Sequence, residues 1–309
     1  VSERQSPVDL EAAAYGYRAA LAKDKKFIPA SLKLAALLQR QGKPQEALNV
    51  LREAEDAGVP PIALQIAWGE ALVVAKEGVR AEEVFRKALA VDPKMTAARL
   101  GMAAALDVQG KTEQAKGELE VLLAESPDAP GVRERIAQLA LKLGRKDEAL
   151  KQYRAEIASG KAQPVLRVAM AKLALDLNQA ELARTELAAL IAEHPGTPDA
   201  LFTYGKVFEA LGDASKGLQE YKRALKYETS PELQLALGKL MVKLGKEEEG
   251  LGALDLASTL PEARIERGKV FARKTDLARA LADFEEAARL DPTNAEAYIL
   301  QGTCQDQLG

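Results

Sequence analysis

Lys172, Lys206, Lys239 and Lys269 recur at intervals of 34, 33 and 30 residues. Lys142, Lys243 and Arg273 add cations four residues further along the same register. A periodic row of ammonium groups makes and breaks no bonds; its chemistry is recognition. Each lysine is a hydrated point charge on a flexible stem, suited to the carboxylates of an extended acidic segment or to a chain-end carboxylate. The competing arrangement is also written in the residues. Asp199, Glu232, Glu262 and Glu296 share the period, and Glu209 and Glu266 lie nearby. Each lysine therefore has a carboxylate one repeat away with which to pair. The spacing leaves both readings open, a track for an acidic ligand or an internal ion-pair lattice.

Bond-making chemistry has little to work with. His194 is the single histidine, in Glu193-His194-Pro195, and reads as an exposed loop residue. Cys304, the single cysteine, lies between Leu300 and Leu308 and reads as a packed small hydrophobe rather than a nucleophile. No HExxH, paired Cys/His cluster, phosphate-binding glycine loop or nucleophile elbow occurs. The chain is therefore expected to be no enzyme and to use no metal or cofactor. A net charge of −3 and a pI near 5.6 give no global basic field for nucleic acid. No apolar run reaches the roughly 18 residues of a membrane-spanning helix. One cysteine excludes an intrachain disulfide and fits a reducing compartment. A start at Val1 without Met leaves a processed or shortened form open, and with it a periplasmic as well as a cytoplasmic location.

The elements that would hold the lysines follow from a phrase with a 34-residue period. It is plainest at Ala81-x-x-x-Phe85-x-x-Ala88-x-x-x-x-Pro93 and returns around Ala115, Ala183 and Ala280. Such a period signals stacked units rather than one globule. With the alanine at position 20, units span 28–61, 62–95, 96–129, 130–163, 164–197, 198–230, 231–260 and 261–294. Residues 1–6 are expected to be a flexible N-terminus, 7–27 a leading helix of a partial repeat, and 295–309 a terminal helix that is either a cap or a truncated ninth unit. Apolar residues at i, i+3, i+4 and i+7 predict two helices per unit. Turn glycines (Gly42, Gly110, Gly144, Gly212, Gly245) and unit-opening prolines bound them. Ser6-Pro7-x-Asp9 reads as a capped helix start.

These residues resemble the tetratricopeptide repeat family: the period, the large residue at Trp68 and Tyr204, the small one at Gly69, Gly205, Gly238 and Gly268, the Ala-aromatic-Ala phrase and the closing proline. Departures are Glu156 and Lys161 in place of the usual Ala and Pro, and Gly217 and Gly250 in place of the second helix's Ala. The resemblance implies an all-α fold, a right-handed α-α superhelix of helix pairs with the first helices lining a concave groove. By the same resemblance, positions 2, 5, 6, 9, 12 and 13 of each first helix face that groove. The lysines occupy positions 9 and 13. Earlier units place apolar residues there instead, Leu32, Ile66 and Leu100 foremost, and these would either seat an amphipathic helix or simply let the helices wind tightly. The family's carboxylate clamp would need asparagine at Ala36, Glu70, Ala104, Lys172 or Lys206, and none is present, which argues against a chaperone-tail receptor.

The expected function is a non-enzymatic scaffold that binds a protein or peptide, the lysine row favouring an acidic segment. The alternative is a self-assembling component of a secretion, pilus, motility or envelope complex, the roles bacterial members often take by resemblance. Tyr298 and Leu308 on the last helix would then offer a homodimer contact. The unit 231–260, four residues short and carrying Gly250 and Gly252, reads either as a hinge or as a deletion absorbed by a loop.

Overall fold

The computed structural model describes residues 7–56, 62–160 and 162–308. Residues 1–6 with the Ser6 cap, Lys161 and Gly309 lie outside the described residues. Among the described residues every regular element is an α-helix. In chain order they are α1 (Pro7–Lys23), α2 (Ile28–Arg40), α3 (Pro44–Asp56), α4 (Ile62–Val74), α5 (Gly78–Val91), α6 (Thr96–Val108), α7 (Thr112–Glu125), α8 (Val132–Lys142) and α9 (Lys146–Ala158), then α10 (Pro164–Asp176), α11 (Ala180–Glu193), α12 (Pro198–Ala210), α13 (Ala214–Ala224), α14 (Pro231–Lys243), α15 (Glu247–Leu256), α16 (Pro261–Arg273), α17 (Leu277–Leu290) and α18 (Ala295–Leu308). The even-numbered helices are the first helices of successive pairs. The chain divides into two compact units, 1–156 and 157–309, a division that the uniform repeat does not announce.

Helix starts follow local chemistry. Proline opens α10, α12, α14 and α16, where a missing N–H costs nothing. Asp213, Ser230 and Asp276 cap α13, α14 and α17 by accepting from the N–H of Lys216, Leu233 and Arg279. The exception among the expected starts is α8, which begins at Val132 after a left-handed Gly131 rather than at Pro130. Between the helices of a pair the chain turns through one left-handed residue. Gly42, Gly110, Gly144, Gly212 and Gly245 supply it in five pairs. Lys76, Asn178 and Thr275 take the same conformation with φ of 61°, 58° and 60°. For β-branched Thr275 that conformation is strained.

The paired helices meet through one recurrent contact. In four of the eight pairs position 8 of the first helix is glycine and position 24, on the second, is large; Ala35, Ala103, Ala137 and Ala171 hold position 8 in the others. A Cβ on Gly69 would stand 2.5 Å from the Phe85 ring, on Gly205 2.3 Å from Tyr221, on Gly268 2.6 Å from Phe284, and on Gly238 2.7 Å from Leu254. The four large side chains are at most 1% exposed. A second contact joins position 4 to position 23. Arg99 bonds Glu118 at 3.3 Å, Arg264 bonds Asp283 at 3.0 Å, and Arg167 bonds Glu186. First helices also pack on the first helix of the next pair in α2·α4, α4·α6, α10·α12 and α14·α16. This is the stacking of a solenoid.

The short unit 231–260 is tightly tied. A Cβ on Gly250 would meet Val242 Cγ2 at 2.7 Å and the Gly238 carbonyl at 3.0 Å, and one on Gly238 would meet the Gly250 carbonyl at 3.0 Å. Gly217 approaches the Gly205 carbonyl in the same way, at 3.1 Å. These two glycines are departures from the family pattern that permit a closer crossing of helices. Gly252, in contrast, faces open space. Arg267 bridges Asp255 and the buried Asp283, so α15, α16 and α17 share one ion-pair cluster.

Two outcomes are expected in thermal or denaturant unfolding. Gly250→Ala lowers stability by about 1–3 kcal/mol through overpacking, whereas Gly252→Ala raises it by up to about 1 kcal/mol through helix propensity. Equal effects at both sites would contradict the close crossing. Thr275→Gly is expected to stabilise by roughly 0.5–1.5 kcal/mol by relieving the left-handed strain; a loss would show that Thr275 contributes a contact worth more than that strain.

Candidate functional site

In the second unit the first helices bring the periodic cations and carboxylates together. Lys172 Nζ on α10 donates to both oxygens of Asp199 on α12, at 2.7 and 2.9 Å. Lys239 on α14 donates to Glu262 on α16 at 2.5 Å. Lys269 on α16 reaches Glu296 on α18 and Glu266 on its own helix, both at 2.8 Å. Position 9 of one first helix thus meets position 2 of the next. Burial works against the charged form of Lys269, but the hydrogen bonds from Glu266 and Glu296 outweigh it and raise its pKa. Arg273 stands 3.7 Å from Glu247. In the first unit Lys142 on α8 pairs with Asp107 on α6.

Two of the cations picked out in the sequence are not gathered into this lattice. Lys206 is exposed, and its ammonium lies 4.4 Å from the centroid of the Phe202 ring rather than on Glu232. Lys243 is exposed, with no carboxylate in contact among the described residues. A cavity of about 300 Å³ opens between α12 and α14, lined by Pro198, Asp199, Phe202, Glu228, Ser230, Glu232 and Leu233. Further along α12 the carboxylate of Glu209 accepts a hydrogen bond from the hydroxyl of Tyr221. Burial and that carboxylate both push the Tyr221 phenol pKa upward, so it donates as a neutral group. Sequence reasoning missed this gap. Its one signal is Phe202, the single aromatic residue at position 5 of any first helix.

The first unit presents a different surface. Leu32, Ile66 and Leu100 sit half-buried on α2, α4 and α6 against the core, with Ala67 and Val73 beside them. Glu70 lies on the same helix face as Ile66, Ala67 and Val73. Its side chain reaches solvent, yet burial raises its carboxyl pKa. An apolar, poorly solvated surface has that effect on a carboxylate.

His194 and Cys304, the two residues considered for bond-making chemistry, lie on separate helices. His194 is exposed at the C-terminal end of α11. Cys304 is 3% exposed, and burial pushes its thiol pKa up, away from the reactive thiolate. Among the described residues no group of His, Cys, Asp and Glu is arranged to hold a metal ion, and no helix is long and apolar enough to cross a membrane.

Comparison with known proteins places the fold. Family models described as tetratricopeptide repeat match residues 75–130, and 32–96, 168–233 and 261–309. No curated protein matches. A tetratricopeptide repeat protein from Parabacteroides merdae is similar in structure, with a TM-score of 0.58 at 16% identity over 79% of this chain and 98% of that one. A chain of the APC/C hetero-tetramer Cut9–Hcn1 gives a TM-score of 0.54 at 15% identity over 91% of this chain. This chain spans only 56% of that relative's length. The pilF protein of Pseudomonas aeruginosa gives 0.54 at 17% identity, covering 67% of this chain and 96% of that one.

The Glu70 environment predicts a pH effect. A carboxyl whose pKa is raised on folding opposes folding once it ionises. Its penalty is absent below the ordinary glutamate value of 4.5 and grows as pH rises through the folded value. Glu70→Gln is therefore expected to raise the melting temperature at pH 7 and to leave it unchanged near pH 4. A gain that is the same at both values would remove desolvation as its cause.

Proposed function

From the premise that the chain belongs to the tetratricopeptide repeat family, whose members generally act as non-catalytic protein-interaction scaffolds, we propose that it binds partner segments on the exposed faces of its first helices. In the second unit we propose an acidic segment as the ligand. The single observation that supports it is Lys206, an exposed ammonium in a row whose other position-9 lysines are already neutralised. A partner carboxylate gains most where no internal carboxylate competes. Lys206, with Lys243 nearby on α14, is such a place, and the Phe202 side chain beside it offers an apolar anchor. Lys172, Lys239 and Lys269 act as a frame whose net field is small.

On the first unit we propose that apolar residues of a partner helix pack along Leu32, Ile66 and Leu100. The poor solvation of Glu70 favours this reading over mere tight winding, since burying that surface adds to an existing apolar patch. A bacterial multiprotein assembly is the setting we propose, on family habit alone.

A fluorescein-labelled peptide of alternating Asp, Glu and Leu serves as the probe for the second unit. Its affinity is expected to fall with rising salt and to drop about tenfold or more in Lys206→Glu/Lys243→Glu. Lys239→Glu, which loses the pair with Glu262, should have the smaller effect. Binding that is unchanged in the double variant, or equally lost in Lys239→Glu, would overturn the assignment to the unpaired cations.

A further inference from the structure

Position 4 of the first helix has a recurrent role within the chain. Arg99 on α6 donates to the Pro93 carbonyl in the turn before it at 2.7 Å and meets Glu118 and Glu125 of α7 at 3.3 and 3.6 Å. Arg167 meets Glu186 and Glu193 of α11 in the same way. Arg264 donates to the Ser258 carbonyl at 3.1 Å and to Asp283 at 3.0 Å. The Arg99 and Arg167 side chains are 13% exposed. Such an arginine closes the space between a first helix, its partner helix and the turn that precedes them.

The pair α2 and α3 departs from this pattern. Its position 4 is Ser31, the smallest side chain at that position in the chain, and its position 23 is Val50 rather than an acid. A cavity of about 360 Å³ stands there, walled by α1, α2 and α3. The turn is the ordinary one. Asp24 accepts from the N–H of Lys26 at 2.9 Å, as Asp92 does from that of Lys94 at 3.0 Å before α6. What differs is the side chains: the arginine and its carboxylate are replaced by a hydroxyl and an isopropyl group.

The walls carry chemistry of their own. Ser31 is 1% exposed, lines the cavity, and its hydroxyl has no hydrogen-bond partner among the described residues. Buried hydroxyls are ordinarily bonded, so this one has a bond to offer a guest. Lys25 and Glu53 line the cavity too, both exposed and neither in an ion pair among the described residues. Arg18 is already held by Glu46 at 3.1 Å and adds little free charge. Leu21, Leu34 and Val50 supply apolar wall. A free cation, a free anion and a buried hydroxyl around apolar wall match a small zwitterion, and the volume lies at the low end of the roughly 300–1,000 Å³ of ligand pockets.

We propose that this cavity binds a free α-amino acid with an apolar side chain. Its carboxylate meets Lys25 and the Ser31 hydroxyl, its ammonium meets Glu53, and its side chain packs on Leu21, Leu34 and Val50. The site is independent of the partner surfaces on the first helices. Leu32 follows Ser31 by one residue, a rotation of roughly 100° about the helix.

Equilibrium dialysis of the chain against radiolabelled L-leucine tests the proposal, and saturable binding is expected. Isocaproate, which lacks the ammonium, and isoamylamine, which lacks the carboxylate, should compete about tenfold or more less well, each having lost a charged hydrogen bond. Ser31→Arg/Val50→Glu rebuilds the pair of Arg99 with Glu118, so it should keep or raise the melting temperature and lose leucine binding. Lys25→Gln, an exposed change, should weaken leucine by about tenfold and leave isoamylamine unaffected. Absence of saturable leucine binding, binding that persists in Ser31→Arg/Val50→Glu, isocaproate competing as well as leucine, or an affinity unchanged in Lys25→Gln would each overturn the proposal.

Discussion

Half of the helix pairs depend on one steric constraint, a glycine pressed against a large side chain. At Gly69, Gly205, Gly238 and Gly268 any Cβ would collide with Phe85, Tyr221, Leu254 or Phe284. The absence of that carbon lets the second helix lie close enough to bury a whole ring, and a buried ring is among the largest apolar contributions a helix pair can make. A close backbone crossing accompanies the contact in two pairs, at Gly205 with Gly217 and at Gly238 with Gly250, whether the large residue is Tyr221 or Leu254.

Electrostatics is layered on this frame and is mostly self-cancelling. Lys172, Lys239 and Lys269 face carboxylates one pair further on, and exposed pairs of this kind contribute only about 0–1 kcal/mol each. Their larger effect is on the field. A paired ammonium attracts a partner carboxylate far less than a free one does, because the internal acid must first be displaced. The row seen in the residues thus resolves into a frame with gaps, and at Lys206 the ammonium lies over Phe202, one of the residues that line the cavity between α12 and α14.

Much of the architecture was legible in the residues because its determinants are local. The 34-residue phrase, the helical spacing of apolar residues, the opening prolines and the turn glycines each act within a few residues of where they stand, and the structure has helices where they indicate. The candidate site was legible only as two alternatives. Lys206 and Lys172 hold the same position of the same repeat, with an acidic residue one unit on in both cases. Nothing in their spacing separates the paired lysine from the unpaired one. Gly250 likewise reads as a weak point by helix propensity, and only the approach of Val242 and the Gly238 carbonyl reveals what the missing side chain permits.

By itself the sequence determined the fold class, the family, the number and order of the helix pairs and the poverty of bond-making groups, since periodicity and composition carry those directly. Tertiary structure alone decided which cations are neutralised and where a cavity opens. Charge pairing at a few ångströms and close packing depend on small displacements between helices some thirty residues apart. Those displacements sum the contacts of a whole unit, and no interval between residues encodes them.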